Sequence, residues 1–211
     1  NTSAMDSMLI CMNSFADRWI TETFPGRGKS TADEDGNDDW LNPCASALPN
    51  SPFPRTTILF TVVLAATNNE VLAIQADVSK ADDCKKLVEK TISKFKKIDI
   101  LLNNAGASAA ALFEDVTDKN WEDDINLKLM STVRMCRLVI PYMKSNNKGV
   151  IINATIGGGK APNAGSLPTT VTRSAGINLT KSLANEYAKD NIRVNTICIG
   201  LIKSAQWDRK S

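Results

Sequence analysis

The sequence contains no histidine. That removes any mechanism built on an imidazole base and any zinc site with imidazole ligands. Five cysteines stand at Cys11, Cys44, Cys84, Cys136 and Cys198, an odd number with no Cys-x-x-Cys pair. Such spacing supports neither a disulfide framework nor a thiolate cluster, so no metal is expected. The thiols read as small apolar fillers in a reducing compartment, the cytoplasm. No uninterrupted run of about 18 apolar residues exists, so no membrane-spanning helix is expected. Residues 1–10 lack a basic start and a long apolar stretch, so no secretory signal is expected. A net charge of +2 is no nucleic-acid footprint.

What is present fits a soluble globular protein: 211 residues, 43% hydrophobic and 23% charged, enough for one domain or one domain plus an extension. The charge is uneven. Residues 1–66 hold 8 acidic and 4 basic side chains, and residues 67–211 hold 15 and 21. The character of the chain changes near Ala66. Before it lie an acidic, turn-rich run at 32–39 and a segment at 41–55 with four prolines, Pro43, Pro49, Pro52 and Pro54, which punctuate loops. Two pieces look structured there. Residues 5–15 read as a short helix, and the apolar, β-rich run 57–65 reads as a buried strand. The domain reading is therefore an atypical, loop-rich segment over 1–66 and a regular core over 67–211.

In the core, apolar runs at 71–78, 98–102, 150–154 and 193–199 read as strands. Helical periodicity covers 79–95, 118–143 and 169–188, and Ser79 with Asp82 reads as a helix-start box. Strands alternating with helices predict an α/β fold, a doubly wound, Rossmann-like parallel sheet with helices on both faces. Ligands of such sheets sit at the carboxyl ends of the strands. That directs attention to Asp77, to Asn103-Asn104-Ala105-Gly106, to Thr155-Ile156-Gly157 and to residues 199–204. Asp77 suits an amino-group donor such as adenine, or equally a helix start. The 103–106 segment suits close approach of a ligand, or equally a turn cap.

Taken in order, Asp77-Val78-Ser79, Ile100 to Gly106, Trp121 with Ile125-Asn126-Leu127, Gly149 to Asn153 and Asn191-Ile192-Arg193-Val194-Asn195 resemble the short-chain dehydrogenase/reductase family. The likeness runs from about residue 70 to residue 204. It implies an oxidoreductase that moves a hydride between a nicotinamide, NAD or NADP, and a small-molecule carbonyl or alcohol. By the resemblance, Asp77 and Val78 flank the adenine. Asn103, Ala105 and Gly106 border the ribose side, and Ile202 and Ser204 meet the carboxamide. No nucleic-acid or membrane partner is implied, whereas pairing of the two long helices with a second copy, a homo-oligomer, is.

The sequence departs from the family in three ways. Aligned on Ile151-Ile152-Asn153 and Ser174-Ala175-Gly176, the family's acid/base Tyr falls on Thr169 and its Lys on Arg173. They share one helix face at i, i+4. A Thr hydroxyl is a far weaker acid than a phenol of pKa about 10, and Arg stays charged. The family's Ser falls on Ile156, with Thr155 one residue before it, and its Asn on Asn126. The catalytic set is thus Asn126, Thr155, Thr169 and Arg173. Second, residues 1–66 lack the family's glycine-rich pyrophosphate loop, since Gly26-Arg27-Gly28-Lys29-Ser30 is preceded by Thr23 where such a loop needs Gly. The nucleotide-binding portion is therefore expected to be incomplete, with strand 57–65 filling a slot in the sheet. Third, Gln206 to Ser211 stands where a substrate-covering segment would follow. Three readings result: an oxidoreductase with an altered proton site, a catalytically inactive relative serving as a binding or oligomeric scaffold, and a product with no independent function.

Overall fold

The computed structural model describes residues 7–11, 59–65 and 70–200. Ile202, Ser204 and the 26–30 and 41–55 segments lie outside them. Six strands form one sheet: β1 (Ser7–Cys11), β2 (Leu59–Ala65), β3 (Glu70–Ala76), β4 (Ile100–Asn103), β5 (Gly149–Ile156) and β6 (Ile192–Ile199). Their order is β3-β2-β1-β4-β5-β6. Strands β1, β4, β5 and β6 run parallel, which gives the Rossmann-like α/β class with a parallel core. The run at 5–15 is corrected: its residues Ser7–Cys11 are a strand between β2 and β4, not a helix. Pairing on both sides satisfies ladder groups that a five-residue helix leaves largely open.

β2 occupies a sheet slot, antiparallel to both β1 and β3. The reason is length. Only residues 66–69 separate β2 from β3. A parallel neighbour needs a crossover of about a dozen residues, whereas an antiparallel one needs only a tight turn.

The helices are α1 (Ala81–Phe95), α2 (Asp118–Asp124), α3 (Ser131–Ser145) and α4 (Thr169–Tyr187). A π-helical turn, Ile125–Met130, joins α2 to α3, so the expected helix 118–143 is one rod with a wide turn in its middle. Thr117 and Asn120 form a reciprocal capping box at its start. The box expected of Ser79 with Asp82 does not form. The Ser79 hydroxyl donates to Asp77 Oδ1 at 2.6 Å, and Asp83 accepts from the Asp77 N–H at 2.7 Å. Asp77 offers a nearer charged acceptor.

Helices on both faces were expected, but among the described residues all the long helices share one face. Asn103 of β4 donates to Cys136 of α3 and to Asn153 of β5. Asn153 donates to Thr180 of α4, and α1 packs beside α3. The physical reason is handedness: β3 to β4, β4 to β5 and β5 to β6 all step the same way across the sheet, so right-handed crossovers put every helix on the same side. The core between them contains Leu87, Ile98, Leu101, Met135, Val139, Met143 and Ile151, all fully buried. Cys136, Val139 and Ile140 of α3 belong to this core.

At the start of β5, a Cβ on Gly149 would lie 2.5 Å from Met143 Sδ and 2.9 Å from its Cβ. Gly149→Ala is expected to destabilise the fold by about 1–3 kcal/mol through overpacking. Combining it with Met143→Ala should give less than the sum of the two single losses in urea unfolding; strict additivity would contradict the contact.

Candidate active site

The carboxyl ends of β4 and β5, the π-helical turn and the first turns of α4 converge on Thr169, Thr172 and Arg173. The end of α2 and the wide turn present Asp124 and Lys128 to α4. Lys128 Nζ pairs with Asp124 Oδ1, and each side chain is only 1% exposed. Asp124 Oδ2 accepts from the Thr172 hydroxyl at 2.6 Å. Lys128 Nζ also donates to Thr169 Oγ1 at 3.1 Å, and the Ala109 backbone N–H donates to the same oxygen at 3.0 Å. Two charges taken out of water need this degree of satisfaction, since either alone would be costly.

Arg173 lies over the turn after β4. One guanidinium nitrogen donates to the Ala154 carbonyl at 2.8 Å. Another sits where a side chain on residue 106 would be. Its Nε is buried with no hydrogen-bond partner. Burial pushes the guanidinium down to about 10. Burial, then the nearby Arg173 charge, pushes the Lys128 ammonium down to about 7.

The expected site residues are only partly assembled. Thr169 and Arg173 stand on one face of α4, as read from the sequence. Thr155 is buried on β5, its hydroxyl donating to the Arg173 carbonyl at 3.5 Å. Asn126 is turned elsewhere: its side-chain oxygen accepts from Arg134 at 3.2 Å. Lys128, two residues on, occupies the contact with Thr169. Asp124, Lys128 and Thr172 escaped the sequence reading. The available signal was the i, i+4 Asp–Lys pair, which on most helices is a solvated surface pair. The π-helical turn, which brings a different residue to the face, leaves no mark in the periodicity. On the adenine side, Asp77 Oδ1 accepts from the Ser79 N–H and hydroxyl, and Val78 is fully buried. The Asn103 side chain points into the core, so only its backbone faces the turn. Ala105 is buried beside it.

The unpartnered Arg173 Nε calls for an acceptor oxygen, and Gly106, lacking a side chain, leaves room for the guanidinium itself. On α4's other side, a groove of about 540 Å³ is lined by Leu112, Phe113, Leu167 and Val171, with Ser166 and Thr170 hydroxyls among them.

The fold is Rossmann-like, and the cluster lies at the carboxyl ends of its strands, where such sheets hold their ligands. A model of the short chain dehydrogenase family matches residues 59–211, and the chain belongs to that family. It is 39% identical over 148 residues to an uncharacterized oxidoreductase of Schizosaccharomyces pombe, a match covering 66% of this chain and 54% of that protein. It is 34% identical over 141 residues to the 3-oxoacyl-[acyl-carrier-protein] reductase FabG of Staphylococcus epidermidis, covering 67% and 58%. Among solved structures, it is similar to a short-chain dehydrogenase from Streptomyces avermitilis, with a TM-score of 0.59 and 26% identity over 61% of this chain and 48% of that one. The chain thus spans a little over half the length of these curated relatives.

The Lys128 shift has a consequence for stability. Its folded pKa lies below the ordinary lysine value, so between about 7 and 10.5 the unfolded chain holds a proton that the folded chain has released. Stability therefore rises with pH in that window. Cys84 and Cys136, pushed up by burial to about 11 and about 12, act oppositely once unfolded thiols ionise near 9. Urea midpoints should increase from pH 7 to 9 in the wild type. In Lys128→Met, which lacks the titrating amine, this rise should be absent, on a baseline lowered by the unpaired Asp124.

Proposed function

We propose that the protein is an NAD(P)-dependent oxidoreductase of small carbonyl compounds or alcohols. The observation that carries this reading is the buried, unpartnered Arg173 Nε packed over Gly106, at the strand ends where this fold binds nucleotides. Bound there, a nicotinamide cofactor supplies the hydride. Gly106, Asp77 and the backbone of Asn103 and Ala105 form the surface it lies against, and Arg173 takes the role of a ribose anchor through its free N–H. Thr169 orients a substrate oxygen, since its two acceptor positions are taken by Lys128 and Ala109 and its own O–H is left to donate. The reductase FabG, whose name describes reduction of a 3-oxoacyl group, makes a ketone the first substrate class to try.

A second reading is favoured by one residue: Thr169 stands where the family carries a phenol, so the chain would bind cofactor without turnover. Tryptophan fluorescence titration with NADH and NADPH, followed by stopped-flow NAD(P)H consumption across ketones and aldehydes, separates the two. Binding with consumption supports the enzyme, and binding alone supports the inactive relative. Arg173→Ala should weaken cofactor binding about 10–100-fold, the worth of a charged hydrogen bond. An unchanged affinity would contradict the assignment of Arg173. If the site geometry is intact, the double change Thr169→Tyr, Arg173→Lys should raise turnover.

A further inference from the structure

One buried charged group touches the site without having a place in the family pattern read from the sequence. Lys128 projects from the π-helical turn, is 1% exposed, and donates to Thr169 Oγ1. The Thr169 oxygen receives a second hydrogen bond from the Ala109 N–H. A hydroxyl has two acceptor positions and one proton. With both acceptor positions filled, the proton must point away from Lys128 and Ala109. Of the two donors on that oxygen, the backbone amide cannot release a proton, and Lys128 can. Arg173 stays charged, and Asp124 bonds Lys128 and Thr172 rather than Thr169.

We propose that Lys128 is the proton source behind Thr169, recharging its hydroxyl after that hydroxyl has protonated a substrate oxygen. The inference rests on the oxidoreductase reading above and assigns its missing acid. In reduction, a bound reduced nicotinamide would supply the hydride to the carbonyl carbon and be left oxidised by two electrons. The carbonyl π pair moves to oxygen, which takes the Thr169 proton. Thr169 Oγ1 takes a proton from the Lys128 ammonium, leaving a neutral amine beside the Asp124 carboxylate. Lys128 acts through Thr169 and does not itself touch substrate. The charged groups facing it are Asp124 on its own helix and Arg173 from α4; Thr169 and Thr172 supply hydroxyls. The downward shift of its ammonium to about 7 puts it in the range where proton donation at neutral pH is efficient. The tetrad also explains why a lysine is tolerated here at all: Asp124 balances its charge, and Thr172 fixes Asp124.

The test uses the full chain and two readouts. Nuclear magnetic resonance of ¹³C,¹⁵N-lysine-labelled protein, without cofactor, should show one lysine titrating near 7 that disappears in Lys128→Arg and persists in Thr169→Val. Every lysine titrating near 10 would overturn the proposal. With NAD(P)H and a ketone, kcat should fall as pH rises through about 7. Lys128→Arg, which keeps the charge but cannot release a proton, should retain cofactor affinity and lose turnover about 10²–10⁴-fold, together with the pH break. Should that variant fail to fold, Thr169→Val, which keeps the volume, serves instead and should lose turnover to the same extent. Wild-type turnover with the pH break intact in a folded variant overturns the proposal. NAD(P)H binding without reduction of any carbonyl also sinks it, while leaving the cofactor reading standing. Absence of cofactor binding removes both.

Discussion

The Asp124–Lys128 pair is the constraint on which the site depends. Both side chains are almost wholly removed from water, so each requires the other and neither tolerates a missing hydrogen bond. Thr172 completes Asp124 and Thr169 completes Lys128. Both threonines stand in the first turn of α4, and both charges stand on the rod formed by α2, the π-helical turn and α3. The pair thereby fixes the height of α4 against that rod. This sets where Arg173, one turn further along, reaches over Gly106. Charge satisfaction, not apolar contact alone, positions the groups at the strand ends.

A second polar connection runs through the apolar layer. Asn103, Asn153 and Thr180 form a chain from β4 through β5 to α4. Buried amides of this kind allow few alternative pairings. The chain locks the register of two parallel strands to the helix covering them. With the helices on one face, the alternation of β5 and β6 follows: Ile151, Asn153 and Val194 turn inward, and Arg193, Asn195, Ile197 and Ile199 stand exposed on the other side.

The repeating core after residue 70 was legible because its signals are local. Apolar runs of strand length alternate with helical periodicity, and the site motifs fall at the joints. Thr169 and Arg173 were legible for the same reason, as a fixed i, i+4 spacing in one uninterrupted helix. The misreadings have physical causes. Residues 7–11 are short and apolar, a pattern that suits helix or strand until a partner decides. The reversed direction of β2 was implicit in its four-residue link to β3 but is invisible to composition. Asn126 and Lys128 exchanged prominence because the wide turn between α2 and α3 changes which residue faces the sheet. The helix start at residue 79 was misassigned because several carboxylates there compete for the same backbone donors.

The reversal of β2 alters what the sheet offers at its ligand-bearing rim. Leu59, its first residue, pairs with Ala76 at the end of β3, and Ala65, its last, pairs with Ser7 and Glu70. In dinucleotide folds an acidic residue after the second strand reads the adenosine sugar. Here the final residue of that strand lies at the opposite rim, about 20 Å away at ordinary strand rise. The rim shared with the ends of β3 and β4 thus receives the first residue of β2, not its last.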